Sequence, residues 1–209
     1  MIVLSETTRL EMFREMTEHL LTDDKPSYYM NTLSKDAAYK GFPYLLLWKL
    51  KDTEQSPKYH PEGNVWNHTM LVLDEAAAVR EQTKEKKEFM WAALLHDIGK
   101  PTTTRMRKGK TTSYDHDKEG EKLSTDFLSY FIDDEDFISK VSALVRYHMH
   151  ILYVLKKLPY GDIKGMLKRV DKNDLALLCR CDRLGRGGVD KKAEEVQYLE
   201  FKNILDKLI

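Results

Sequence analysis

Apolar residues recur along this chain at the three-to-four-residue interval of helices rather than in the alternation of strands. Ser5-Glu6-Thr7-Thr8 reads as a helix start, followed by Leu10, Phe13 and Leu20 on one broad face, and Asp23-Asp24-Lys25-Pro26 breaks it. Two shorter helices are expected at about 31–40 and 43–52, separated near Gly41 and Pro43. Thr53 to Gly63, with Pro57, Pro61 and Gly63, reads as a loop. A helix over about 65–82 carries His68, Val72, Glu75 and Val79 along one stripe. Another spans Lys84 to Asp97 and is stopped by Gly99 and Pro101. Residues 102–115, with a Gly109-Lys110 turn flanked by threonines, suggest a small hairpin. Further helices are expected at about 116–132, 134–149, 160–169 and 171–186, with a last one from about 190 to the end. The fold class is therefore all-α, with one small hairpin around 102–115. The expected organisation is one domain over 1–209: a helical prelude to 52, a core at 53–190 and a C-terminal helix at 191–209.

Composition narrows the function. A chain of 209 residues buries a proper core. Its 34 basic and 34 acidic residues balance to zero net charge, which argues against a dedicated nucleic-acid binder and leaves only a local basic patch. The first residues lack a charged leader followed by a long apolar stretch, and no apolar run approaches membrane-spanning length. A cytoplasmic protein with no membrane partner is expected. Cys179 and Cys181 are two apart on an expected helix, pointing in different directions, and read as core thiols rather than a disulfide.

The candidate chemistry lies in histidines that end apolar stripes. His96 follows Phe89, Ala92 and Ala93 on one helical face, and His148 follows Phe137, Val141, Leu144 and Val145. Asp182 follows Leu175, Leu178 and Cys179, and a carboxylate on such a face asks for a metal or another cation. Imidazole and carboxylate together suit Mn, Fe, Co, Ni or Zn.

The run His96-Asp97-Ile98-Gly99-Lys100, with His68 upstream and Asp182 downstream, resembles the HD superfamily of metal-dependent phosphohydrolases. The likeness extends to the HD region of bacterial CCA-adding tRNA nucleotidyltransferases. It is carried by Tyr59 to Thr69 (YHPEGNVWNHT), Leu94 to Pro101 (LLHDIGKP) and Asp182 to Gly187 (DRLGRG), and covers roughly residues 43–190. The resemblance implies an HD-domain helical bundle and a metal set of His68, His96, Asp97 and Asp182. His116 and His148 stand where dinuclear members supply two further histidines, with Asp97 as the bridging carboxylate. His150 competes with His148 for that place; His148 is favoured because it follows Tyr147. His60 is expected to line the pocket or brace its loop, and His19 to lie on the surface. No Gly-Gly or Gly-Ser turn followed by a paired-aspartate strand motif occurs, so a free-standing HD domain without CCA addition is expected.

Two divalent ions (Mn, Fe, Ni, Co or Mg) would activate water for in-line attack on phosphorus. Lys100, Arg183 and Arg186 are the candidate phosphate contacts, and Asp97 and Lys100 the candidate catalytic pair. Arg105, Arg107, Lys108 and Lys110 on the hairpin could guide an anionic nucleotide or an RNA end. The expected activity is phosphomonoesterase or phosphodiesterase action on a small nucleotide or nucleotide-like ester. Specific possibilities from the resemblance are 2',3'-cyclic phosphodiester, 2'-nucleotide and dinucleoside polyphosphate hydrolysis. The alternatives are a non-catalytic nucleotide- or RNA-binding module and, ranked last, a diiron oxygenase of HD fold.

Overall fold

The computed structural model describes residues 5–36 and 39–208. Its helices are α1 (Glu6–Thr22), α2 (Pro26–Leu33), α3 (Tyr44–Trp48), α4 (Val65–Val79), α5 (Lys86–Leu95) and α6 (Lys100–Thr103). After a hairpin of β1 (Arg105–Arg107) and β2 (Lys110–Thr112) come α7 (His116–Ser129), α8 (Glu135–Tyr147), α9 (His150–Leu155), α10 (Ile163–Arg169), α11 (Lys172–Leu184) and α12 (Lys191–Asp206). The fold is all-α with one small antiparallel hairpin, as the periodicity indicates.

The packing radiates from α5. Every residue from Phe89 to Leu95 is buried, so this helix is apolar on all sides and needs neighbours all round. Helices α1, α4, α8 and α11 supply them, α7 backs α8, and α12 covers α11. One apolar cluster runs from Met12 on α1 to Leu205 on α12. The start of α5 has no cap of its own; Asp174 on α11 accepts the Lys84 and Glu85 N–H groups at 2.9 and 3.0 Å. Other starts follow the usual chemistry, with Ser5, Asn64, Asp134, Asp162, Asp171 and Asp190 each accepting backbone N–H groups of the first turn.

Several boundaries differ from expectation. The helix expected over 31–40 lies earlier, at Pro26–Leu33, because Pro26 opens it: proline at the first position forfeits no helical bond. Ala37 and Ala38, within the expected span, lie outside the described residues, as do Met1 to Leu4. The helix expected to run to residue 149 ends at Tyr147, and α9 follows where no helix was expected. The hairpin pairs Arg105 with Thr112 and Arg107 with Lys110. Its turn residues are Lys108 and Gly109, both at positive φ (50° and 72°), one residue earlier than expected. No described helix is long and apolar enough to cross a membrane. Both cysteines are free and buried, and Cys179 Sγ donates to the His148 carbonyl at 3.0 Å, tying α11 to the end of α8.

Candidate metal centre

Five helices deliver six side chains to one buried point. His68 comes from α4, His96 and Asp97 from the C-terminal end of α5, His116 from the start of α7, His148 from the end of α8 and Asp182 from α11. None of the six residues is more than 7% exposed. His96 and His148 both cap the C-termini of their helices, where unpaired carbonyls make the local potential negative and favourable to a cation.

The hydrogen bonds set which ring nitrogen faces inward. Nδ1 of His96 pairs with the Ala93 carbonyl at 2.9 Å, that of His116 with Ser113 at 2.7 Å and that of His148 with Val145 at 2.6 Å. A carbonyl only accepts, so each Nδ1 carries the proton and each Nε2 presents a lone pair to the interior. His68 is turned the same way by a different partner: its Nδ1 lies 3.0 Å from Glu62 Oε1, and its Nε2 lies 2.9 Å from Asp182 Oδ1.

Asp97 lies between two groups of ligands. Its Oδ2 lies 3.2 Å from His96 Nε2 and 3.8 Å from His68 Nε2. Its Oδ1 lies 3.5 Å from His116 Nε2 and 3.8 Å from His148 Nε2. His68, His96 and Asp182 bring one ligand atom each within 4.8 Å of one another, and so do Asp97, His116 and His148.

The donors fit a cation and fit poorly without one. His116 Nε2 and His148 Nε2 are 3.2 Å apart, so two lone pairs face each other unless a proton or metal lies between them. Burial disfavours the proton: it lowers His116, and it brings His148, flanked by His116 and His96, down to about 4. His96 Nε2 is likewise buried with no hydrogen-bond partner. The nitrogen-rich set suits first-row divalent metals better than Ca.

The carboxylates hold their charge against burial. Burial alone would raise Asp97, but Lys100, His96 and His116 hold it well below the usual range. Asp182 is likewise held down against burial by Arg186, His68 and His96. Lys100 Nζ stands 2.7 Å from Asp97 Oδ2 and donates to Gln55 Oε1 at 2.7 Å. Gly99 makes this turn possible: a Cβ there would meet the His116 carbonyl at 2.2 Å and the Gly120 nitrogen at 2.6 Å.

Among the remaining expected residues, Arg186 Nη2 lies 3.4 Å from Asp182 Oδ2 and so borders the centre. Arg183 does not. Its guanidinium bonds Glu194 and, at 2.7 Å, Gln197, both on α12, because one residue beyond Asp182 a helix has turned by about 100°. His150 is also elsewhere: its Nε2 accepts the Asp162 N–H at 3.1 Å. His60 lies edge-on to His68 with ring centroids 4.9 Å apart, and His19 pairs with Asp23 at 2.9 Å. The hairpin cations Arg105, Arg107, Lys108 and Lys110 are exposed and form no ion pair among the described residues. Sequence reasoning gave no role to Glu62 or Gln55. The signal for Glu62 was its place in the stretch that leads into His68.

A family model described as HD domain matches residues 65–187, a span that holds all six clustered residues. Among curated proteins the chain is 30% identical over 204 residues to the multifunctional CCA protein of Pasteurella multocida, covering 93% of this chain and 46% of that one. It is 29% identical to the one of Mannheimia succiniciproducens (88% and 45%) and 28% identical to that of Hahella chejuensis (84% and 42%). The chain thus spans under half the length of these relatives.

Proposed function

The chain belongs to the HD-domain family, and from that premise we propose that it is a metal-dependent phosphohydrolase acting on a nucleotide or nucleotide-like phosphate ester. The observation that carries this reading is the position of Asp97, whose two oxygens face two separate sets of buried ligands. His68, His96, Asp182 and Asp97 would hold one divalent ion; Asp97, His116 and His148 would hold the other. Bound there, such a pair supplies Lewis acidity toward phosphoryl oxygens and a nucleophilic water near neutral pH.

The chain's own residues do the rest. Three carbonyl-bonded imidazoles keep their lone pairs aimed inward, so these three need not change tautomer on binding; His68, between Asp182 and Glu62, would give up its Nε2 proton. Lys100 balances Asp97 at 2.7 Å, and its side chain, 12% exposed, reaches the surface of the site. Arg186 balances Asp182 from the other side, and the two cations bind phosphoryl oxygens and orient the ester for in-line attack. Arg183 is left out of this set because it joins α11 to α12. No covalent nucleophile is needed, and the two cysteines do not offer one: burial pushes both thiols up.

The resemblance to the HD region of CCA-adding enzymes makes 2',3'-cyclic and 2'-phosphates candidate substrates, beside dinucleoside polyphosphates. We further propose that α1–α3 and α12 belong to the same folding unit as the HD core, since the apolar cluster runs through them without a break. The test is phosphate release from metal-stripped protein resupplied with Mn, Ni, Co or Mg. The substrate panel holds 2',3'-cyclic nucleotides, 2'- and 3'-monophosphates, dNTPs and diadenosine polyphosphates. Turnover of one class that disappears in His96→Ala supports the proposal; turnover that survives in that variant, or needs no metal, defeats it.

A further inference from the structure

Glu62 lies in the loop before α4, outside the family match and outside the six-residue cluster, yet only 5% of its side chain is exposed. Its Oε1 lies 2.8 Å from His60 Nδ1 and 3.0 Å from His68 Nδ1. Its Oε2 accepts the Gly187 N–H at 2.9 Å, 125 residues away in the chain. The contact to His68 is an ion-pair approach that falls short of hydrogen-bond geometry, and Nδ1 of that ring is buried with no other partner. One carboxylate therefore bridges the loop ahead of His68, His68 itself and the segment that follows Asp182.

His60, Glu62 and His68 also lie close enough together to hold an ion of their own. The geometry argues against that use. Both imidazoles turn Nδ1 toward the same oxygen, and His68 is required through Nε2 on its other side. Two N–H groups converging on one carboxylate oxygen fit this arrangement without a third metal. A carboxylate behind a metal-facing histidine fixes its ring, selects its tautomer and raises its basicity.

We propose that Glu62 is a positioning residue of the centre: it holds His68 with Nε2 inward and ties His68 to Asp182 through Gly187. This inference rests on the metal-binding reading above, but not on which ester is hydrolysed. Its role is to act through His68; it touches neither ion nor substrate.

The test is isothermal titration of metal-stripped protein with Mn and with Ni, for the wild type, Glu62→Ala, Glu62→Gln and His60→Ala. Circular dichroism of each metal-free variant reports its folding. Loss of Glu62 is expected to weaken metal binding by about 10–100-fold with stoichiometry unchanged. Glu62→Gln keeps the size and one acceptor oxygen, should fall between, and serves if Glu62→Ala does not fold. His60→Ala leaves the Glu62–His68 contact intact and should lose less than about threefold, because His60 is on the far side of the carboxylate. Unchanged affinity in folded Glu62→Ala and Glu62→Gln would overturn the proposal. So would the disappearance of one whole ion with the others bound as before, which would mark a third metal site. The wild-type titration, run first, separates the failures: metal uptake without any turnover removes only the hydrolase reading, whereas no uptake at all removes both.

Discussion

The centre around Asp97 and the hairpin of β1 and β2 both crowd ionisable side chains into a small space, and they treat charge in opposite ways. At the centre, Asp97 and Asp182 are buried, each beside a cation; backbone-anchored histidines surround Asp97, and His68, backed by Glu62, meets Asp182. On the hairpin, Arg105 donates to its neighbour's carbonyl, Arg107 rests 4.8 Å over the Tyr114 ring, and Lys108 and Lys110 extend into water. A charge near water interacts at high effective dielectric, so its position matters little; a buried one interacts several times more strongly. The centre therefore holds each charge in a defined place. The hairpin offers only a diffuse positive potential.

The largest expected effect comes from the residue both ligand sets share. Asp97→Ala should lower phosphate release by roughly 10³-fold or more while the metal-free protein stays folded, because it removes the carboxylate that would serve both ions together with a buried charge. Assay of phosphate release with circular dichroism checks both halves. Substantial residual turnover would mean that Asp97 is not central and that the contrast between the regions is overdrawn.

Two identical substitutions sharpen the contrast next. Gly99→Ala drives a methyl group to within 2.2 Å of the His116 carbonyl and 2.6 Å of the Gly120 nitrogen, both backbone atoms of α7. It should cost about 3 kcal/mol or more of stability and disturb His116. Gly109→Ala on the hairpin meets nothing within 4 Å and strains only its own backbone at φ 72°, for roughly 1 kcal/mol. Urea midpoints of the two variants give the comparison directly, and equal losses would refute it.

Much of the fold and part of the centre can be read before the structure, and the rest resists for identifiable reasons. The three apolar stripes that end in His96, His148 and Asp182 do converge, because a stripe buried against neighbouring helices carries its last residue inward. Helix α9 is missed because Ile151 to Leu155 is an unbroken apolar run without a capping side chain, and such a run has no helical signature. Arg183 and Arg186 look alike in the motif, yet only the one four residues past Asp182 shares its face. Glu62 is harder to read for another reason: its place six residues before His68 is a signal, but its contact to Gly187, 125 residues away, exists only in the tertiary fold.

Acid should act on the buried histidines and spare the hairpin, which carries none. Burial, reinforced by charged or imidazole neighbours, holds His60, His148 and His150 down to about 4. Between about 6.5 and 4 the unfolded chain then binds more protons than the folded one, so stability of the metal-free protein falls as pH falls. Each such histidine contributes roughly 1–2 kcal/mol of loss at pH 5. His68 runs the other way: against burial, Asp182 and Glu62 raise it, so its share is present below about 6.5 and lost as pH rises through its folded value. Urea titrations of metal-free protein at pH 7 and pH 5 should show a net loss in acid. Equal midpoints would mean that these imidazoles are more hydrated than their burial implies.

The smallest effect belongs to the hairpin charges. Replacing Arg105, Arg107, Lys108 and Lys110 with glutamine removes four positive charges that have no acidic partner among the described residues, and leaves Lys100 and Arg186 in place. A diffuse potential speeds the arrival of an anion and does nothing to its transition state. For a small phosphate ester, kcat/KM should therefore fall by no more than about threefold at low salt, with kcat unaltered. That deficit should vanish near 0.5 M salt, where the screening length shrinks to roughly 4 Å. A fall in kcat, or a loss that persists in high salt, would place the hairpin in short-range contact with the substrate. It would then belong to the centre, and the two regions would have to be treated as one site.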